Sequence, residues 1–244
     1  MANLSSENCV RNSLDSIIAL RRMLDHRYYV KWRMGLLSVL HIKKYAKEYF
    51  KFVLDEPRFL SAIHSNTPNF PTEGDPCGIS IRQRILSNLV GEEQGDENHP
   101  ELWRNFCLSL GMEESDMLDK DTLPGTRNLL DCFHKICRDE PFYNGLAAMY
   151  AFESQIPEVA GQKITGLRDF YGLTDPDSYK FFSVHEKADV IHSSEEAEIL
   201  ERIVDSEEKL SSVKSACQRA ADALLGFLDS IDTTYCSDIS CALP

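Results

Sequence analysis

Apolar positions recur three and four residues apart along almost the whole chain, and no run of them alternates as a half-buried strand would. The clearest stretch is the last, where Leu210, Val213, Cys217, Ala220, Leu224, Phe227 and Ile231 mark the buried seam of a bundle helix. The same spacing predicts helices over Leu36–Ile63, Ile79–Gln94, Pro124–Arg138, Pro141–Tyr171 and Ser178–Val204, with Pro157 kinking or dividing the Pro141–Tyr171 helix. The stretch NTPNFPTEGDPCG, residues 66–78, holds three prolines and two glycines and reads as the one long loop. Another helix should start at His99, with Asn98 as its N-cap, Pro100 in the tolerant first turn and Glu101 closing a capping box. No internal repeat is visible. The pattern predicts an all-α single domain over residues 1–231, with a loop at 66–79 and a loose tail at 232–244.

Charge narrows the classes. The chain has 244 residues, of which 26 are Lys or Arg and 39 are Asp or Glu, for a net charge of −13. Such a surface repels phosphate backbones and anionic lipid, so neither nucleic acid nor a membrane is an expected partner. No apolar run approaches the length of a bilayer span, and the first residues lack the basic-then-apolar pattern of a signal peptide. The eight cysteines form no CxxC pair, which argues against a zinc ribbon. A cytoplasmic setting is expected.

The segment HEKADVIH, residues 185–192, puts His185, Asp189 and His192 within roughly 60° of one another on a helix. Nitrogen, oxygen and nitrogen donors on one narrow face suit iron, manganese or zinc, although such residues also line the wet side of acidic helices. Two other segments offer matching donors. EEQGDENH ends one helix near Glu92 and opens the next at His99; as a polar connector it would explain its carboxylates but not a histidine before LWRNF. Glu153 sits inside the apolar stretch LAAMYAFESQIP, where a buried carboxylate needs a metal or a hydrogen-bonding partner. Together Glu92, His99, Glu153, His185, Asp189 and His192 could hold two divalent metals with open positions, the kind of site that reduces oxygen inside helical bundles. The spacing is not the paired Glu-x-x-His pattern of ferritin-like proteins.

These residues carry a family resemblance. Glu-x6-His, the lone Glu of ESQIP and His-x3-Asp-x2-His resemble the ligand pattern of the haem-oxygenase-like dimetal oxidases. The blocks HRYYVKW, YAKEYF, FLSAIHS, ELWRNF, FESQIP, KITGL, HEKADVIH and LLGFLDS resemble, in order and spacing, the subfamily that includes the chlamydial protein associating with death domains. The resemblance implies a TenA/PqqC-like bundle of about seven helices. It implies oxygen-dependent synthesis of para-aminobenzoate for folate, on an Fe/Fe or Fe/Mn pair with O2 as co-substrate and an external reductant. In that subfamily a tyrosine side chain is cut between Cα and Cβ to become the aromatic ring, and a lysine is implicated in supplying nitrogen. By position Tyr29 matches the consumed tyrosine, Tyr45 a second tyrosine nearby, and Lys163 the amino donor. Phe152 and Phe181 stand where the subfamily pattern has tyrosines.

Taken without the resemblance, Tyr29 and Tyr45 read as core-edge aromatics and Lys163 as a solvated charge. Two rival functions stay open: a dimetal oxidase acting on an external small molecule, and an interaction module for host death-domain proteins. The second would use acidic faces at Glu195–Glu201 and Glu207–Glu208. The resemblance also implies a homodimer.

Overall fold

The computed structural model describes residues 9–69, 79–96, 98–117 and 121–240. Among them eleven α-helices form, with two short 3-10 turns and no strand. They are α1 (Cys9–Ala19), α2 (Arg27–Arg33), α3 (Val39–Asn66), α4 (Ile79–Glu93), α5 (His99–Ser109), α6 (Glu114–Met117), α7 (Pro124–Asp139), α8 (Phe142–Glu153), α9 (Ile156–Asp169), α10 (Lys180–Ile203) and α11 (Glu207–Tyr235). The all-α class is as expected, but the helix number exceeds seven. Part of the excess is the pair α1 and α2, which the spacing argument left unread, and part is the single turn α6. Most of the loop at 66–79 lies outside the described residues.

The expected Pro141–Tyr171 helix is divided. Proline cannot donate its missing N–H, so Pro157 is tolerated only in the first turn of α9, and the chain breaks at Ser154 and Gln155. That break sets Glu153 and Lys163 on separate helices. The helix expected from Leu36 starts instead at Val39. Ser38 caps it, with its own backbone N–H donating to His41 Nδ1 at 2.9 Å. Asn98 does cap α5, accepting from the Glu101 N–H at 3.0 Å, but the capping box stays half made because Glu101 binds Arg104 instead.

The seam foreseen along α11 is buried throughout, and it packs between α7 and α8. The helix does not stop at Ile231, however. It runs to Tyr235, so the tail expected to be loose from residue 232 is in part structural. Asp232 is 2 % exposed and accepts from Lys31 Nζ at 2.8 Å, while Arg27 Nε lies 2.6 Å from its other oxygen. Lys31 also donates to the Cys236 carbonyl at 2.9 Å. A lysine and an aspartate taken out of water hold together only when both are paired, and removing one partner of such a pair typically costs about 3–5 kcal/mol. This pair fastens α2, which carries Tyr29, to the end of α11.

Candidate metal centre and the tyrosines beside it

The helix spacing of 185, 189 and 192 does put three side chains on one face of α10, and that face turns inward. Glu92 comes from the last turn of α4 and His99 from the first turn of α5. Gly95 joins those helices with φ +86°, a conformation that lets the chain double back so that His99 Nδ1 meets the Glu92 carboxylate. Glu153 ends α8 and faces them. The six residues fall into two groups of three, Glu92 with His99 and His185, and Glu153 with Asp189 and His192. Within each group the candidate ligand atoms all lie within 4.8 Å of one another.

Four of these side chains, His185, Glu153, Asp189 and His192, each leave a buried polar atom without a hydrogen-bond partner. His185 Nδ1 faces the Phe181 carbonyl at 2.7 Å, which leaves Nε2 directed away from its own helix with no hydrogen-bond partner. Glu153 Oε1 accepts from Asn88 Nδ2 at 3.2 Å, and its Oε2 has none. Asp189 Oδ2 and His192 Nδ1 are likewise buried and unsatisfied, the latter 3.8 Å from Glu153 Oε2. Burial pushes the Glu153 and Asp189 carboxyls up to about 8 and Glu92 well above its ordinary range, and pushes His185 well down. Carboxylates and neutral imidazoles so placed need cations, and the donor set fits two divalent metals that accept nitrogen and oxygen ligands.

Tyr29 on α2, Tyr45 on α3 and Lys163 on α9 meet in the core. Lys163 Nζ donates to Tyr45 Oη at 2.6 Å, and Tyr45 Oη lies 3.1 Å from Tyr29 Oη. The ammonium position is 5.1 Å from the Tyr29 ring centre and 4.8 Å from that of Tyr45. Tyr28 is also buried and stacks on Tyr45 at 5.4 Å, but its Oη has no hydrogen-bond partner. Close approach of α9 to α2 depends on Gly166, where a Cβ would fall 2.6 Å from Trp32. Lys163 is 4 % exposed, not solvated as composition alone suggests, and burial lowers its pKa to about 7.

That lowering has a sign. Between about 7 and the ordinary value of 10.5 the unfolded chain holds the Lys163 proton and the folded chain does not. Stability therefore rises with pH across that window on this residue's account. Urea melts from pH 7 to 10 should show the rise, and Lys163→Met should flatten it; an unchanged slope would mean Lys163 stays charged in the fold.

Sequence reasoning missed several residues around the centre. Tyr49 and Trp103 join the tyrosines to the metal side, with ring centres 4.8 Å apart, and Trp103 lies 4.6 Å from Phe181. Phe181 in turn stacks on His185 at 3.9 Å. Phe152 packs instead against Phe52 at 4.9 Å. Glu56 on α3 and Glu196 on α10 are buried as well, although the charge pattern places Glu196 on an exposed acidic face. Its seven-residue distance from Asp189, a repeat of the ligand stripe, was the signal that could have placed it inside.

The all-helical bundle is of the haem-oxygenase-like class, and two inward groups of carboxylates and imidazoles lie in its core. The chain belongs to the family of iron-containing redox enzymes, whose family model matches residues 43–225. It is 48% identical over 234 residues to a 4-aminobenzoate synthase of Nitrosomonas europaea, covering 96% of this chain and 95% of the relative. It is 35% identical over 219 residues to a 4-aminobenzoate synthase of Chlamydia trachomatis, covering 90% of each. Among solved structures, a TenA homologue from Pseudomonas syringae superposes with a TM-score of 0.75 at 19% identity, over 92% of this chain and 91% of that one. The last likeness speaks for the fold alone. No helix among the described residues is long and apolar enough to cross a membrane.

Proposed function

We propose that this protein is an oxygen-dependent dimetal enzyme that makes 4-aminobenzoate from its own Tyr29, with Lys163 supplying the amino group. The observation that carries the reading is the buried chain Lys163–Tyr45–Tyr29, an amine and two phenols linked by hydrogen bonds inside the core. The 4-aminobenzoate synthases that resemble the chain supply the reaction class. Glu92, His99 and His185 would hold one metal, and Glu153, Asp189 and His192 the other. When bound, iron with iron or manganese supplies the one-electron chemistry that O2 requires.

The protein's own residues arrange the rest. Because Tyr45 Oη accepts from Lys163, its own hydroxyl hydrogen is free to point at Tyr29 Oη, which leaves the Tyr29 hydroxyl hydrogen available for loss. Desolvation lowers Lys163 to about 7, so about half of it is neutral near pH 7, the state in which an amine is a nucleophile. Phe152 and Phe181 cannot relay an electron as a phenol would, so Trp103 is the oxidisable ring between Phe181 and Tyr49.

The test is stoichiometric. Iron-loaded, reduced protein exposed to O2 should yield no more than one 4-aminobenzoate per chain, and peptide mass spectrometry should find glycine at position 29. Product in excess of protein with Tyr29 intact would instead favour an external small-molecule substrate, the reading that Phe152 and Phe181 keep in view.

A further inference from the structure

Five of the six candidate ligands are sealed, but His192 is not: its side chain is 15 % exposed, against 0 % for Glu153 and 3 % for Asp189. A narrow crevice at His192, between α4 and α10, is lined also by Asn88, Glu195 and Glu196 and by the apolar Leu60 and Ile199. Its volume is about 10 Å³, room for a single water-sized particle. Arg84 stands on its rim, turned aside by an ion pair to Glu198 at 2.8 Å.

Three oxygens in this crevice lack any hydrogen-bond donor. Glu196 is 4 % exposed and both of its carboxylate oxygens are unpartnered. Asn88 is 6 % exposed; its Nδ2 is committed to Glu153 Oε1, and its Oδ1 has no partner. The two residues are independent, one an acid on α10 and the other an amide on α4. The surroundings add negative potential rather than relief, since Glu153, Asp189 and Glu56 all act on Glu196. A buried carboxylate and a carbonyl oxygen without donors, around a space for one small particle, are complementary to a hard cation.

We propose that Glu196 and Asn88 form a third, transient site for a divalent cation, through which metal ions reach His192 and Glu153 and so load the dimetal centre. This rests on the dimetal reading above. Glu196 lies one helical turn beyond His192 on the same face, so an ion held there needs only a short step to the first permanent ligands. Glu56, one turn before Leu60 on α3, is a further buried carboxyl that acts on Glu196 from the neighbouring helix.

The experiment uses the full chain stripped of metal by chelator and mixed with Mn(II) alone. The loss of the free Mn(II) electron paramagnetic signal gives the loading rate, and its end point gives the stoichiometry. Wild type should take up two ions, one for each ligand group. Glu196→Gln keeps the volume and removes the charge; it should reach the same end point about tenfold or more slowly. Arg84→Glu alters only the rim and should load about threefold faster.

If both variants load at the wild-type rate to two ions, the crevice holds a water only and the proposal is overturned. If Glu196→Gln stops at one ion, Glu196 is a permanent ligand and the transit role is likewise overturned. A wild-type end point below two would sink the dimetal reading itself, a distinct result. Should Glu196→Gln fail a circular-dichroism check of folding, the surface change Arg84→Glu decides: faster loading supports the proposal, and an unchanged rate overturns it.

Discussion

Replacing His185 with alanine is expected to lower the metal content of the loaded protein from two ions per chain to one and to reduce 4-aminobenzoate formation to background. The imidazole is held by the Phe181 carbonyl at Nδ1, so Nε2 has one orientation and one use. Its ring also packs on His99 at 4.0 Å and on Phe181 at 3.9 Å, and alanine removes a ligand and a spacer together. Loss of a ligand's orienting partner alone typically costs about 10- to 100-fold in metal affinity, and loss of the ligand itself costs more. Elemental analysis of the iron- or manganese-loaded variant, beside product assay, checks both parts. A variant that still holds both metals would remove His185 from the centre.

The second large effect is expected at Tyr29. Tyr29→Phe keeps the ring in its place and deletes only the hydroxyl that lies 3.1 Å from Tyr45 Oη, so the fold should lose about 1 kcal/mol while product formation ceases. Metal content should stay at the wild-type value, because the ligands belong to other helices. Tyr28→Phe is the matched control: its ring is equally buried, but its hydroxyl bonds to nothing, and its product yield should stay near wild type. Product that survives Tyr29→Phe and vanishes with Tyr28→Phe would transfer the role to the neighbouring ring.

Much of this arrangement was legible in the chain, for reasons that can be stated. His185, Asp189 and His192 were visible because helical spacing fixes a face, and Glu153 because a carboxylate inside LAAMYAFESQIP has no cheap way to be buried. Glu56 and Glu196 stayed hidden. Each belongs to a charged run, and a pattern of charges does not tell which member of the run turns inward. Lys31 and Asp232 were missed for a related reason: their burial depends on a partner 201 positions away, which no local window contains. The helix starts at Ser38 and Asn98 show the other limit. Both caps use side-chain bonds, and whether the third helical residue reciprocates, as His41 does and Glu101 does not, depends on geometry that residue type alone leaves open.

Under the proposed reaction, the burial of Tyr29 on the seven-residue helix α2 bears on the fate of the molecule after it acts. Conversion of that residue to glycine empties a ring-sized space in the packed interior, where comparable aromatic deletions cost about 3–5 kcal/mol. Glycine inside a helix costs roughly another 1 kcal/mol. Against a typical total stability of about 5–15 kcal/mol, a chain that had reacted once in this way would be a markedly weaker fold than a fresh one. The clasp of Lys31 and Asp232 would keep α2 attached, but the spent protein would spend more time open to proteases. If Tyr29 is consumed as proposed, a single turnover would also set a lifetime, and used copies would be distinguished from unused ones by their own instability.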